Sequence, residues 1–218
     1  MIQRYQSDIF HACMKTCHLD TCNNMRKELI MEKKQVWKPG NMLYPVPAVM
    51  VSCADKEGNK NIVTIAWAGT ICSDPAMVSI SVRPERHSYK MIRETGEFVI
   101  NLTTKDLTYA TDWCGVKSGR DVDKFTEMKL TAAKADSLQY APIIDESPVN
   151  LECKVKQVLE LGSHHMFVAE ITGVQISEKH MNENGKFELN QTGLVAYSHG
   201  EYFVLGEKIG KFGYSVKK

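Results

Sequence analysis

Ala48-Val-Met-Val-Ser-Cys-Ala54 is an apolar, β-branched run, and Asn61-Ile-Val-Thr-Ile-Ala-Trp67 is a second one. The turn Asp55-Lys-Glu-Gly-Asn59 lies between them, so the pair reads as an antiparallel hairpin. Upstream, Pro45 and Pro47 after Tyr44 fix an extended entry. Downstream, residues 77–82 and 98–102 read as further strands. A helix over 88–95 separates these two, with Ser88 as N-cap, Tyr89 and Ile92 on one face, and Gly96 as terminator. Shorter helices are expected over 105–113 and 121–128.

The second half returns to strands. Leu151, Cys153 and Val155 alternate with Glu152, Lys154 and Lys156, the period of a half-buried strand. A long strand is expected over 166–176 and shorter ones over 194–197 and 202–205, with Asn184-Gly185 as a turn. Strands dominate, helices are short, and no βαβ rhythm appears. The fold class is therefore mainly β with short helices, arranged as an antiparallel barrel in one domain.

The 218 residues suffice for a core without disulfide or metal staples. Lysine and arginine total 27 against 26 acidic residues, which gives no electrostatic case for nucleic acid or an anionic membrane. No apolar run is long enough to span a bilayer. Seven cysteines, an odd number in a chain of this length, fit a reducing cytoplasm. Cys13, Cys17 and Cys22, interleaved with His11 and His18, match no standard metal spacing. Residues 1–31 read as a poorly ordered leader preceding a domain over 32–218, with Met25 or Met31 as the expected start.

Four stretches could carry chemistry. In Ser81-Val-Arg-Pro-Glu-Arg-His-Ser88 a strand ends and a helix begins. Such a helix start offers free N–H groups to an anion, and Arg83 and Arg86 would add fork-shaped donors. Local sequence alone is better satisfied by surface arginines and a simple cap. In Thr64-Ile-Ala-Trp-Ala68 small side chains would let a flat ring approach backbone, although taken alone a core strand explains them better. Gly115-Val-Lys-Ser-Gly-Arg-Asp-Val-Asp-Lys-Phe125 concentrates glycine, serine and charge before a helix. His199 lies in a turn where it could meet a ligand or a proton. His164-His165 reads as turn chemistry after Gly162, and no metal is assigned. The chain contains no GxGxxG, HExxH, GxSxG or CxxC motif.

Taken in order, Asn61-Ile-Val-Thr-Ile-Ala-Trp, Ser79-Ile-Ser-Val-Arg-Pro, Gly96-Glu-Phe-Val-Ile-Asn-Leu, Ser118-Gly-Arg-Asp-Val-Asp-Lys-Phe and Ser198-His-Gly-Glu-Tyr-Phe resemble the flavin reductase-like family, and most nearly its flavoredoxin-type members. The resemblance covers about residues 37–218. It implies an FMN-binding split β-barrel, antiparallel and Greek-key-like, that forms a homodimer and holds the flavin non-covalently. Electrons would pass from NAD(P)H to FMN and on to a small-molecule or protein redox partner. By position, Thr64, Ile65, Ala66, Trp67 and Ala68 would line the ring. Arg83, Arg86, Ser88 and Tyr89 would hold the phosphate side, with Asn101 and Leu102 closing the neighbouring strand. Ser118, Gly119, Arg120 and Lys124 transfer more loosely, and His199 would stand nearest the reacting edge.

Overall fold

The computed structural model describes residues 34–216. The chain divides into two compact units, Met1–Asn41 and Met42–Lys218. In the first, residues 34–41 form neither helix nor strand. The expected leader and its cysteines fall outside the described residues.

The second unit is built on twelve strands: β1 (Val46–Pro47), β2 (Val49–Ala54), β3 (Lys60–Ile65), β4 (Ala68–Ser73), β5 (Ala76–Val82), β6 (Glu97–Leu102), β7 (Ala132–Ala133), β8 (Ile143–Ile144), β9 (Val149–Leu161), β10 (His164–Ile176), β11 (Val195–Ser198) and β12 (Glu201–Val204). The helices are α1 (His87–Thr95), α2 (Thr108–Val116) and α3 (Lys124–Glu127). A seven-stranded sheet runs β3-β2-β6-β9-β10-β5-β4, and every pairing in it is antiparallel. Its first and last strands, β3 and β4, follow one another in the chain through the corner Ala66-Trp67. The corner is tied by Ser81 N–H donating to the Trp67 carbonyl (2.8 Å). This is a split barrel, and β1-β11-β12 form a separate small sheet.

Alternation along the strands explains the layering. Val49, Val51, Cys53, Val63, Ile65, Val78, Ile80, Phe98, Ile100 and Phe167 point inward and fill the barrel, joined by Met91 and Ile92 of α1. The opposite face of β2 and β3 is buried too, because Met50 and Ile62 pack under α2 and α3 against Leu107, Ala110, Cys114 and Phe125. Double burial explains why residues 48–54 read as an unbroken apolar run rather than an alternating one.

Several expectations are corrected. The strand expected over 61–67 stops at Ile65, because the chain turns at Ala66-Trp67 to cross the barrel. β4 was not anticipated; its Gly69, Thr70 and Ile71 are exposed and show no alternation. The helix expected over 105–113 lies three residues later as α2, and that over 121–128 contracts to the single turn of α3, capped by Asp123. His164 and His165 lie in β10 rather than in a turn, because Gly162 (φ 79°) reverses the chain within two residues. Gly96 (φ 69°) does end α1. Ser88 is not its cap: the helix starts at His87, Arg86 takes the cap position in extended backbone, and no side chain caps it. The Ser88 hydroxyl is buried and accepts from Asn61 Nδ2 at 2.8 Å, a tertiary bond that displaces the local one.

Candidate functional site

Two clefts meet where β3, the β5–α1 turn and the loop after α2 converge. The larger, about 380 Å³, is lined by Asn61, Val63, Arg83, Arg86, Ser88 and residues 117–120, with Lys124 at its floor. The smaller, about 140 Å³, is lined by residues 63–67 and 81–83 with Arg86 and His164. They share Val63, Arg83 and Arg86, so they form one continuous depression. The larger cleft, the charged end, is strongly cationic; beyond the two shared arginines the smaller one, the uncharged end, carries no charged side chain.

The charged end is assembled by cross-ties. Arg86 Nη1 donates to the Gly115 carbonyl (3.2 Å) and Arg120 Nη2 to the Glu85 carbonyl (2.9 Å), stitching the end of α2 and the loop after it to the β5–α1 turn. Gly119 presses so closely on Asn61 that a Cβ there would fall 2.1 Å from Asn61 Oδ1. Lys124 is 4 % exposed, and its ammonium donates to the carbonyls of Ile62 (2.7 Å) and Cys114 (2.6 Å). Burial, with Arg86 adding to it, holds this lysine below its ordinary pKa. Arg83, Arg86, Lys117, Arg120 and Lys124 thus line the larger cleft against one acid, Glu85, which pairs with Arg83 at 3.4 Å.

The uncharged end exploits a sheet edge. β3 is a terminal strand of its sheet. In an antiparallel strand the N–H and C=O of one residue point the same way. The Ile62 carbonyl points outward to Lys124, so Thr64, two residues on, presents its backbone pair to the same edge. The Thr64 hydroxyl is already committed to the Thr111 carbonyl. Small Ala66 keeps the approach to this edge low, and Trp67 bounds it.

The expected residues are thus partly gathered. Thr64, Ile65, Ala66 and Trp67 line the uncharged end, and Arg83, Arg86, Ser88, Ser118, Gly119, Arg120 and Lys124 the charged end. Ala68 begins β4 just past the corner. Tyr89, Asn101 and Leu102 are not brought to either cleft. The Tyr89 hydroxyl meets His165 Nδ1 (2.7 Å) and accepts from Arg93 (2.6 Å). The buried Asn101 amide spends its hydrogen bonds on Met50, Ser52, Ile144 and Asn150, which lock β2, β6 and β9 to the chain before β9. Leu102 packs on the barrel core. His199, in left-handed backbone (φ 50°), stacks edge-on to Tyr44 at 6.0 Å, and Tyr44 lies 6.3 Å from Trp67. One aromatic ring therefore separates it from the ring that bounds the uncharged end.

Several lining residues were not among the expected site residues, of which three are polar contributors. Asn61, the second residue of β3, donates to Ser88. Lys117 adds a cation. His164, at the tip of the β9–β10 hairpin, reaches the uncharged end; burial, with Arg83 and Arg86, pushes its pKa down and keeps the imidazole neutral. Its position two residues after Gly162 was the signal available. Burial raises the thiols of Cys53 and Cys153 to about 12 and that of Cys114 to about 11. Among the described residues there is no cluster of metal-ligating side chains, and no helix is long and apolar enough to cross a membrane.

An antiparallel split barrel with an elongated cleft, cationic at one end and flat-walled at the other, has the features of a flavin-site protein. Residues 42–206 match the flavin reductase like domain family, and the chain belongs to it. Flavoredoxin of Desulfovibrio vulgaris (Miyazaki F) superposes with a TM-score of 0.78 at 29% identity, covering 85% of this chain and 100% of that one. Flavoredoxin of Methanosarcina acetivorans gives 0.75 at 26%, with the same coverage. An uncharacterized protein of Archaeoglobus fulgidus is 28% identical over 162 residues, 74% of this chain and 88% of the relative.

Proposed function

We propose that this protein is an FMN-binding oxidoreductase that takes electrons from NAD(P)H and passes them to an acceptor through a non-covalently held flavin. The observation that carries this is the continuous cleft, because its two ends match the two ends of FMN in chemistry. Arg83, Arg86, Arg120 and the Ser118 hydroxyl offer charge-assisted donors to a phosphate monoester. The edge of β3 offers alternating backbone donors and acceptors to the polar rim of a ring, and Ala66 and Trp67 supply the flat wall.

When bound, the flavin supplies the redox chemistry, so the chain has only to hold it, tune its surroundings and admit the partner. The neutral His164 imidazole can take or give a proton at the ring end. His199 and Tyr44 stand beyond Trp67, where an incoming donor would be met. The homodimer is part of the proposal, and exposed apolar residues Ile71, Phe203 and Leu205 offer surface for it; light scattering on the purified protein measures it.

A second reading is an electron carrier that serves protein partners and turns over little NAD(P)H. The likeness to two flavoredoxins favours it. The experiment is an absorbance spectrum of the purified protein followed by anaerobic addition of NADH and then NADPH. A flavin spectrum that bleaches with either nucleotide supports the reductase. A spectrum that persists with both favours the carrier, and a protein that takes up no FMN overturns both readings.

A further inference from the structure

The β9–β10 hairpin carries His164 to the uncharged end of the cleft, yet the ladder beneath it stops short of that residue. β10 pairs with β5 only from His165↔Val82 onward, so residues 161–164 project past the last rung that β5 supports. At that rung Glu160 of β9 stands opposite His165 of β10. Helix α1 takes hold of both. Arg93 Nη1 donates to Glu160 Oε1 (3.2 Å), and the Tyr89 hydroxyl lies 2.7 Å from His165 Nδ1. Tyr89 and Arg93 are one helical turn apart. Arg93 also donates to the Tyr89 hydroxyl (2.6 Å), which leaves the hydroxyl proton free for His165. Edge-on contacts with His165 (5.4 Å) and Phe167 (5.5 Å) set the Tyr89 ring itself.

Neighbouring residues of a strand point to opposite faces. His165 turns toward α1, and His164 turns to the cleft beside Arg83 and Arg86. The Arg93–Glu160 pair is half-exposed on both sides, and such pairs add little stability. What the cluster fixes is the direction of the hairpin tip. We propose that Tyr89 is a positioning residue for His164: acting through His165, with Arg93 holding Glu160 across the same rung, it latches the tip so that the His164 imidazole stays over the uncharged end of the cleft. The role of His164 rests on the flavin reading above, whereas the latch rests on the contacts of α1.

The test is Tyr89→Phe, which keeps the ring against Phe167 and deletes the hydroxyl. NMR titration of the histidine signals in the full chain, with His164 assigned by comparison with His164→Gln, reports where the tip lies. The His164 imidazole is faced by Arg83, Glu85 and Arg86 of the β5–α1 turn, and its Nδ1 lies 3.0 Å from Ser163 Oγ. Burial first, then the two arginines against Glu85, hold the wild-type titration below 6.5. In Tyr89→Phe the titration is expected to move up toward 6.5 as the tip leaves the arginines. An unchanged titration in the folded variant overturns the proposal. If Tyr89→Phe does not fold, Arg93→Met at its exposed position deletes both arginine bonds and is read in the same way. The functional arm follows the anaerobic bleaching of bound FMN by NADH or NADPH. In Tyr89→Phe the rate is expected to fall about fivefold or more while the FMN dissociation constant moves less than about twofold. A rate and an affinity that fall together would make Tyr89 a scaffold residue and overturn the proposal, as would an unchanged rate. Wild-type protein that takes up no FMN, or whose FMN neither nucleotide bleaches, overturns the reductase reading instead, and the titration then decides the latch on its own.

Discussion

Two loops of this protein are held by buried charges of opposite sign. Residues 134–141 lie over the outer face of the sheet. The buried Glu152 carboxylate there accepts from Asp136 N–H (3.0 Å), Ser137 N–H (2.6 Å), Ser137 Oγ (2.6 Å) and Gln175 Nε2 (2.8 Å). Glu97 accepts from the N–H groups of Gln139, Tyr140 and Ala141. The loop between α2 and α3 is instead anchored at its far end by Lys124, which donates to carbonyls of β3 and α2, while Arg120 within it bonds the β5–α1 turn. Hydrogen bonds outweigh burial at Glu152 and pull its pKa below the ordinary value, whereas burial dominates at Lys124 and pulls its pKa down against its charge. Each carboxylate that holds the first loop finds its donors within the chain. The cations of the second exceed their internal partners, which is what a loop built to receive an external anion requires.

The contrast is broken most severely at Glu152. Glu152→Ala strands four donors and is expected to cost about 3 kcal/mol or more in urea unfolding, with the FMN affinity of the folded fraction unchanged. Arg86→Ala should do the reverse. It is expected to weaken FMN binding by about 2 kcal/mol in a titration and to change stability less. Gly119→Ala joins the two effects, since the new Cβ must displace Asn61 and break its bond to Ser88. A loss of about 1–2 kcal/mol is expected in both unfolding and FMN titration. Lys117→Met removes an exposed charge and should shift FMN affinity by less than about 1 kcal/mol, an effect that added salt erases.

Acid separates the loops as well. Glu152 has a lower pKa folded than unfolded, so its contribution is complete above the ordinary value of 4.5 and disappears as pH falls through the depressed one. His164 is also depressed, so the unfolded chain protonates first and stability falls below about pH 6.5. Glu152→Gln should flatten the lower limb of a stability–pH curve and leave the upper limb in place.

The hairpin of β2 and β3 was readable because both faces are buried and the turn between them carries glycine. β4 was not, because an exposed edge strand with Gly69 and Thr70 has neither hydrophobic period nor run. The strand–turn–helix pattern around Pro84 marked Arg83 and Arg86 as candidates, but local sequence favoured surface arginines, and only the family resemblance pointed them toward a ligand. Ser88 was misassigned because its partner, Asn61, lies 27 residues away, a bond that local capping rules do not contain. Lys124 transferred only loosely from the resemblance, and its burial was not legible; packing of α3 against β3 turns it inward. Tyr89 sits on the expected helix, yet its hydroxyl is drawn to His165 and Arg93, and it lines neither cleft.

The corner Ala66-Trp67 makes the opening and closing strands of the large sheet one covalent run, and the wall of the uncharged cleft lies on it. That wall cannot slide open along a strand interface, because the backbone itself spans the gap. The opposite side carries His164 at the tip of two thirteen-residue strands joined by two residues. The cleft therefore has a fixed jaw and an extended one. Changing the length of the β9–β10 hairpin would alter what the site admits while leaving the geometry of the corner intact.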